Sequence, residues 1–445
     1  MTTASDELVC VTGATGFIAA QLVRELLGQG YRVRGTVRDR AKAEAAFAEA
    51  KLPGRERLEL VTADLTEAGS FDAAMQGVTC LMHTASPYKI VVKDPQKELV
   101  EPALNGTLEV LAAARRAGVK RVVLTSSVAA LTDEPEPGKK LTEADWNKKS
   151  SLTRNPYYYS KAVAERAAWD YVEKQRPGYS LVTMNPFMVI GPSLTASLNQ
   201  SNELVRDMLT SKGFPGVFDL AWGFVDVRDV ALAHVLAMMT PKARGRYLCA
   251  AQTLHMKDIV KVFKRAHLDE RFALPTRDLS GGLGRFLVRL GSWFQPRAVG
   301  TFLRTNIGRR PEFDNRKIKR DLGLTFRSVE KSLLDTVVDL ERWGHLDGRA
   351  KKGAAESDSR GAAAAIITKA TLEERAMAEA RKSGAISKES RMPGAVLAPI
   401  MAASPGVSPS AAVAGRAEEK TGQDLASPVG DNDPRQGEVT QRDLR

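Results

Sequence analysis

The sequence contains few cysteines and no long hydrophobic run, and each absence excludes a class of protein. Its three cysteines, Cys10, Cys80 and Cys249, are far apart, so neither a disulfide framework nor a cysteine-based metal site is expected. No apolar stretch approaches the ~20 residues that cross a bilayer. Residues 1–10 also lack the basic start and apolar run of a secretory signal. We therefore expect a cytoplasmic protein without a bound metal.

Aromatic residues are absent from the C-terminal part of the chain. No Phe, Tyr or Trp follows Trp343, and Ala, Gly, Ser, Pro, Lys and Glu dominate residues 348–445. Such a composition buries too little apolar surface to offset the entropy that is lost on ordering. We predict a folded unit over residues 1–347 and a largely disordered tail over residues 348–445.

The net charge of +12 is concentrated in one late segment. Residues 281–327 hold 11 basic and 3 acidic residues, and they include the aromatic residues Phe286, Trp293 and Phe294. Three interpretations remain open: a helix with a solvated cationic face, which we favour, a surface for acidic substrates such as CoA esters, or a helix on a membrane surface. No nucleic-acid recognition motif accompanies the charge, so a nucleic-acid partner is not expected.

Short apolar runs alternate with segments of helical spacing in the first part of the chain. The predicted strands are 8–11, 32–37, 58–61, 78–83 and 121–126, and the predicted helices are 17–27, 41–50, 102–117 and 162–174. Such alternation indicates βαβ units and a parallel sheet. The predicted fold is α/β: a Rossmann-type doubly wound parallel sheet over about residues 6–185, and a smaller C-terminal substrate lobe mostly over residues 186–347.

A glycine turn links the first predicted strand to the first predicted helix. Gly13, Gly16 and Ala19 have the spacing Gly-x-x-Gly-x-x-Ala. Gly13 permits a tight turn, Gly16 lets the backbone approach a pyrophosphate, and Ala19 allows close packing of helix on strand. The pyrophosphate would meet the unpaired N–H groups at the helix N-terminus. This context predicts a dinucleotide-binding site.

The second predicted strand ends at Arg38 and Asp39. An acidic residue at this tip binds the ribose 2′-hydroxyl of NAD, whereas an arginine accommodates the 2′-phosphate of NADP. Arg38 favours NADP. Asp39 keeps NAD open as the alternative, because a shift of one residue would reverse the preference.

Tyr157 and Lys161 have the spacing that places two side chains on one face of a helix. A nearby ammonium favours the phenolate, so the tyrosine becomes a competent proton donor nearer neutral pH. Ser127, after the strand that ends near Thr125, is the predicted partner of the carbonyl oxygen, with Ser126 as the alternative. Together these residues predict hydride transfer with Tyr157 as the acid.

These motifs resemble those of an extended short-chain dehydrogenase/reductase of the NAD-dependent epimerase/dehydratase superfamily, and most of all the dihydroflavonol reductase and cinnamoyl-CoA reductase group. The matching segments are residues 11–19, 37–39, 63–65, 125–127, 157–165, 185–186 and 225–229. Residues 155–161 are similar to the cinnamoyl-CoA reductase signature Asn-Trp-Tyr-Cys-Tyr-Gly-Lys but differ at Pro156, Tyr158 and Ser160.

The resemblance implies roles for residues at matching positions. Ser127, Tyr157 and Lys161 would be catalytic, and Lys161 would also bind the nicotinamide ribose. The implied cofactor-binding residues are Gly13, Thr15, Gly16, Phe17 and Ile18 of the turn, Arg38, Asp64 and Leu65 near the adenosine, Thr84, Ala85 and Ser86 along the cofactor channel, Tyr157 and Lys161, and Pro186 and Val189 behind the nicotinamide.

The function predicted from the sequence is NADP-dependent reduction of a ketone or aldehyde on an apolar small molecule, by a monomer or a homodimer. The alternatives are an NAD-dependent sugar-nucleotide epimerase or dehydratase, which shares the catalytic set, and a hydroxysteroid-type dehydrogenase. A non-enzymatic alternative is an NADP-sensing scaffold. Such a scaffold would not need the Tyr157–Lys161 pair that this chain retains.

Overall fold

The computed structural model describes residues 7–86, 92–211, 214–295 and 297–346. The tail predicted to be disordered, residues 348–445, lies outside the described residues. The strands are β1 (Leu8–Val11), β2 (Arg32–Val37), β3 (Leu58–Thr62), β4 (Cys80–His83), β5 (Arg121–Thr125), β6 (Lys140–Leu141), β7 (Ser180–Pro186), β8 (Met188–Ile190), β9 (Val217–Phe218), β10 (Ala221–Asp226), β11 (Gly245–Cys249), β12 (Gln252–His255), β13 (Asp278–Leu279) and β14 (Glu312–Phe313).

Helices follow most of these strands. They are α1 (Phe17–Gly28), α2 (Arg40–Glu49), α3 (Asp72–Met75), α4 (Glu101–Arg116), α5 (Pro156–Gln175), α6 (Gln200–Thr210), α7 (Val227–Met239), α8 (Met256–Arg265), α9 (Gly282–Gly291), α10 (Arg297–Asn306), α11 (Arg316–Leu322) and α12 (Val329–Arg342). Among the described residues, no helix has the length and apolarity needed to cross a membrane.

The large sheet has seven parallel strands in the order β11-β7-β5-β4-β1-β2-β3. Helices cover both faces, which explains why the central strands β1 and β4 are buried along their whole length. In β1, Val9 and Val11 face the layer of α1, α2 and α7, whereas Leu8 and Cys10 face the layer of α3, α4 and α5. Burial raises the pKa of the Cys10 thiol to about 12, so this cysteine is an inert core residue. The predicted doubly wound sheet is confirmed.

The strand order reverses direction between β1 and β4, because β2 and β3 follow on one side of β1 and β5, β7 and β11 on the other side of β4. Ligands of open α/β sheets bind in the crevice at such a point, beyond the carboxyl ends of the strands. The glycine turn follows β1, and Thr84, Ala85 and Ser86 follow β4. The topology therefore brings two of the predicted cofactor segments to the same crevice.

A second apolar core lies beside the large sheet. It is built from α6, α8 and α12 with the small sheet β12-β10-β8, and its buried residues include Phe224, Phe263 and Leu333. Residues after 186 do not all belong to this second core. Two later elements belong to the large sheet, because α7 packs against α1 and β11 pairs with β7.

Candidate active site

The glycine turn is held tightly between neighbouring strands. Gly13 has a φ of +66°, and a Cβ atom at this position would lie 3.2 Å from the Ala85 Cβ. The Gly13 N–H donates to Thr36 Oγ1 at 3.1 Å, and the Gly16 N–H donates to the Gly13 carbonyl at 2.8 Å. Thr15 lies in this turn, and Phe17 and Ile18 begin α1.

The start of α1 can accept an anion. Within the described chain, α1 has neither a side-chain cap at Gly16 nor an acidic residue in its first turn. Its first N–H groups therefore offer unsatisfied donors and the positive end of the helix dipole to a phosphate.

Gly35 is a second glycine on which the turn depends, and our sequence analysis did not identify it. A Cβ atom at Gly35 in β2 would lie 2.7 Å from the Ala14 Cβ and 3.1 Å from the Leu60 side chain. Only a residue without a side chain lets the turn approach β2 this closely. The signal was available, because an isolated glycine inside a strand pattern often marks a close approach.

Thr12 joins the ends of β1 and β4. Its hydroxyl accepts the N–H groups of Thr84 at 3.0 Å and Ala85 at 2.9 Å, and it lies 2.9 Å from His83 Nδ1. Since both lone pairs of the hydroxyl are used, its proton goes to Nδ1, and His83 carries its own proton on Nε2. Burial, and then the charge of Lys161, lower the pKa of His83 to about 3, so this imidazole is neutral.

The tip of β2 separates the roles of Arg38 and Asp39. The Asp39 carboxylate caps α2 by accepting the Lys42 N–H at 2.9 Å, so it is engaged with the protein backbone. Arg38 is exposed and lies close to Asp64. Hydrogen bonds from Thr66, and then the Arg38 charge, lower the pKa of Asp64. At this tip the carboxylate is therefore engaged as a helix cap, whereas the cation lies at the surface near Asp64.

The remaining predicted cofactor residues lie along the same edge of the sheet. Leu65 follows Asp64 and packs on α4, where a Cβ atom at Gly106 would lie 3.0 Å from the Leu65 Cβ. Pro186 ends β7, next to β5, and Val189 lies in β8 just beyond it. Both are buried.

Tyr157 and Lys161 lie at the start of α5, which begins earlier than the predicted residue 162. Pro156 occupies the first turn and Asn155 precedes it with a φ of +50°, a start that the helical spacing of apolar residues did not show. The Lys161 Nζ lies 5.7 Å from the centre of the Tyr157 ring and donates to Ser86 Oγ at 2.7 Å. Burial lowers the pKa of Lys161 to about 8.

The neighbouring Tyr158 is a weaker acid than an ordinary tyrosine. Burial, and then the charge of Asp133, raise its pKa to about 12. Asp133 also accepts the Asn155 side-chain amide at 2.6 Å and the Arg154 guanidinium at 2.6 Å, which fixes the start of α5.

The two candidate serines lie in different environments, one inside the protein and the other on a cavity wall. Ser126 is buried and donates a short hydrogen bond to Glu165 inside the protein. Ser127 lines a cavity together with Tyr157, and its Oγ accepts the Ala129 N–H at 3.1 Å, which leaves its own proton for another acceptor. The geometry favours Ser127 over Ser126 as the group that meets a substrate.

Glu165 is a buried residue that sequence reasoning missed. It lies one turn after Lys161 on α5 and is 1% exposed. Its carboxylate accepts from Arg246 Nε at 2.6 Å and from Asn185 Nδ2 at 2.6 Å, and the Arg246 guanidinium stacks 3.9 Å from the centre of the Trp146 ring. This network ties α5 to β7 and β11, and so holds Lys161 relative to the large sheet.

A cavity of about 1080 Å³ opens beside Ser127 and Tyr157. Val128, Ala129, Thr132 and Asp133 are part of its wall. The aromatic residues of the wall, besides the tyrosines, are Phe187, Phe214, Phe218, Trp222 and Phe302.

The charged residues of the wall are mostly acidic. Among the residues that the structure describes, they are Asp133, Glu134, Glu203, Asp207 and one cation, Arg277. The first four have basic partners: Arg154 contacts Asp133 and Glu134, and Arg206 contacts Glu203 and Asp207. The cavity therefore suits a neutral, apolar molecule better than a polyanion.

Comparison with known proteins shows which family this chain resembles. The model of the NAD dependent epimerase/dehydratase family matches residues 9–250, which run from β1 to the end of β11 and include Tyr157 and Lys161. Cinnamoyl-CoA reductase 1 of Arabidopsis thaliana is 39% identical over 346 residues, covering 77% of this chain and 91% of that protein.

Two reductases from fungi are also similar. A putative NADPH-dependent methylglyoxal reductase of Candida albicans is 34% identical over 359 residues, covering 76% of this chain and 99% of that protein. The solved structure of yeast methylglyoxal/isovaleraldehyde reductase complexed with NADPH has a TM-score of 0.64 at 29% identity, covering 76% of this chain and all (100%) of that one.

Proposed function

The chain belongs to the NAD dependent epimerase/dehydratase family as an extended short-chain dehydrogenase/reductase, and we propose that it is an NADPH-dependent reductase of a ketone or aldehyde carbonyl. The observation that carries this proposal is the joint position of Tyr157 and Lys161 on one face of α5, with Lys161 bonded to Ser86 at the crevice and Tyr157 on the cavity wall. The similarity to reductases that are named as NADPH-dependent supports the choice of cofactor.

The described residues fit NADPH. The backbone of Gly13 and Gly16 and the open N-terminus of α1 would hold the pyrophosphate, and Arg38 would pair with the 2′-phosphate because Asp39 is already used as a helix cap. Bound NADPH supplies a hydride for the carbonyl carbon.

The protein supplies the proton and positions the substrate carbonyl. Ser127 donates a hydrogen bond to the carbonyl oxygen, and the Tyr157 hydroxyl gives that oxygen its proton. The Lys161 ammonium stabilises the resulting phenolate, since an opposite charge nearby favours the ionised form of an acid. With its pKa at about 8, Lys161 is mostly protonated at neutral pH.

The substrate that the cavity favours is neutral and apolar, with an aromatic ring. Seven aromatic side chains belong to the described wall. Its four carboxylates are already paired with arginines, so the described wall offers the diphosphate of a sugar nucleotide only Arg277 as a further cation. This lining disfavours the epimerase and dehydratase alternative. A steroid is also largely apolar, so the hydroxysteroid-type activity is a test case for the same site.

A screen for oxidation of NADPH tests the proposal. The panel should contain aromatic and aliphatic ketones and aldehydes, a steroid ketone, and an aromatic CoA thioester, because one relative is a cinnamoyl-CoA reductase. We expect turnover of aromatic carbonyl compounds with NADPH. Protein that retains bound NAD and converts a sugar nucleotide without consuming cofactor would contradict the proposal, as would failure to bind NADPH.

A further inference from the structure

The helix α9 presents its apolar side to solvent. Leu283, Phe286, Leu287 and Leu290 have the spacing i, i+3, i+4 and i+7 that forms one stripe along a helix. All four are exposed, and Phe286 is 62% exposed. The stripe continues into Trp293 and Phe294, which are 71% and 84% exposed. We call these six residues the α9 surface.

The packing of α9 fixes this orientation. The helix contacts the protein through Gly284 and Val288, which are buried. A Cβ atom at Gly284 would lie 2.3 Å from the Leu279 carbonyl oxygen, so this side of the helix is pressed against the chain. The glycine that interrupts the helical pattern is therefore the contact point, and the exposure of the opposite side does not result from loose packing.

The aromatic end of the α9 surface is also held in place. The guanidinium of Arg304 lies 4.3 Å from the centre of the Trp293 ring and donates to the Ser292 carbonyl at 3.1 Å. A cation over an aromatic face is attractive, so Trp293 is preorganised in its exposed position. Large apolar patches on a folded protein mark interaction sites, because their exposure to water is unfavourable.

The charge around the α9 surface is positive. Residues 279–311 contain six arginines and no Asp or Glu. Arg285 and Arg289 are exposed next to the apolar stripe. The described acidic neighbours are paired with basic groups: Asp219 lies 3.4 Å from Arg285 and 3.0 Å from His255 Nε2, and Asp278 in β13 lies 3.0 Å from Lys257 Nζ.

We propose that the α9 surface docks on an anionic lipid membrane. A helix with Leu, Phe and Trp on one side and arginines beside them inserts its apolar side at the level of the headgroups, while the arginines attract anionic lipids. Trp293 and Phe294 are of the type that prefers this interface. The arginines favour an anionic surface over a neutral one, and residues 279–311 themselves contribute no acidic residue that would oppose such binding.

Docking would place the mouth of the cavity at the membrane. Leu287, Val288 and Gly291 of the same helix belong to the cavity wall. For the reductase proposed above, an apolar substrate dissolved in the bilayer would then reach the site without crossing water. Binding to the membrane is measured without substrate or cofactor, so its outcome does not depend on the proposed activity.

Flotation of the full chain with vesicles tests the proposal. We expect co-flotation with phosphatidylcholine vesicles that contain phosphatidylserine at about 0.15 M salt, and weaker binding to phosphatidylcholine alone or at higher salt. The double variant Trp293→Ser/Phe294→Ser should bind at least about tenfold more weakly. Arg289→Gln should bind about fivefold more weakly to the anionic vesicles only. The matched control is Met239→Ser, an exposed apolar residue at the end of α7, which should bind like the wild type.

Three results would overturn the proposal. The first is no flotation of the wild type, and the second is equal flotation of the wild type and the double variant. The third is a cross-link from a photoreactive residue in place of Phe294 to a second copy, or to residues 348–445, that persists when lipid is added. That cross-link would identify another occupant of the α9 surface.

Discussion

The inner wall of the cavity, at the edge of the large sheet, is held by buried and charged hydrogen bonds, whereas its outer wall at α9 rests on a few apolar contacts. Thr12 and Glu165 each bond several groups on neighbouring elements. By contrast, α9 contacts the protein mainly through Gly284 and Val288. For the proposed reaction, the inner wall would have to hold the reacting groups to within about half an ångström, since misplacement reduces the rate steeply. The outer wall would only have to admit the substrate.

The largest expected effect is the loss of the proton donor at the inner wall. Tyr157→Phe keeps the ring and removes the hydroxyl, so kcat should fall about 10²–10⁴-fold while NADPH binding changes little. Tyr158→Phe is the matched control, because burial keeps the Tyr158 phenol un-ionised. This variant should change kcat only a few-fold. Single-turnover kinetics should be used to isolate the chemical step. If both variants lose activity equally, the assignment of Tyr157 fails.

The next largest effect should follow from breaking the network beneath the site. Glu165→Ala leaves the buried Arg246 guanidinium without its carboxylate, and we expect a loss of about 3–5 kcal/mol in the free energy of unfolding. Glu165→Gln keeps the shape and should lose less. Urea denaturation measures both. A loss below about 0.5 kcal/mol for Glu165→Ala would mean that the network does not support α5, because surface substitutions usually cause changes of that size.

The inner and outer walls also differ in how much of their structure can be predicted from residues that are neighbours in the sequence. The glycine turn, β1 to β5 and the Tyr157–Lys161 pair are encoded by neighbouring residues, and the predicted sheet is confirmed. The Glu165–Arg246 pair is not encoded in this way, since 81 residues separate its members. The helix pattern near residue 286 was visible, but which side faces solvent depends on Leu279 packing against Gly284. Which residues bind the cofactor and which are catalytic stay predictions, and the variants of Tyr157 and Arg38 test two of them.

A smaller effect, on ligand affinity, is expected at the tip of β2. Arg38→Ala should weaken NADPH binding by about 1.5–3 kcal/mol, the typical contribution of a hydrogen bond to a charged group, and leave NADH binding nearly unchanged. The control is Arg40→Ala, because Arg40 pairs with Glu44 on α2. Titration calorimetry with both cofactors separates the outcomes. If Arg38→Ala weakens the binding of NADPH and NADH equally, another residue binds the 2′-phosphate.

The smallest effect is expected at the outer wall, and it would sharpen the comparison most. Phe286→Ser removes an apolar side chain that is already in water, so the free energy of unfolding should change by no more than about 0.5 kcal/mol. Val288→Ser, on the packed side of the same helix, places a hydroxyl in an apolar contact and should lose about 2 kcal/mol. Urea denaturation without lipid measures both. If Phe286→Ser loses as much as Val288→Ser, the α9 surface is covered within the protein itself, and the outer wall is as firmly built as the inner one.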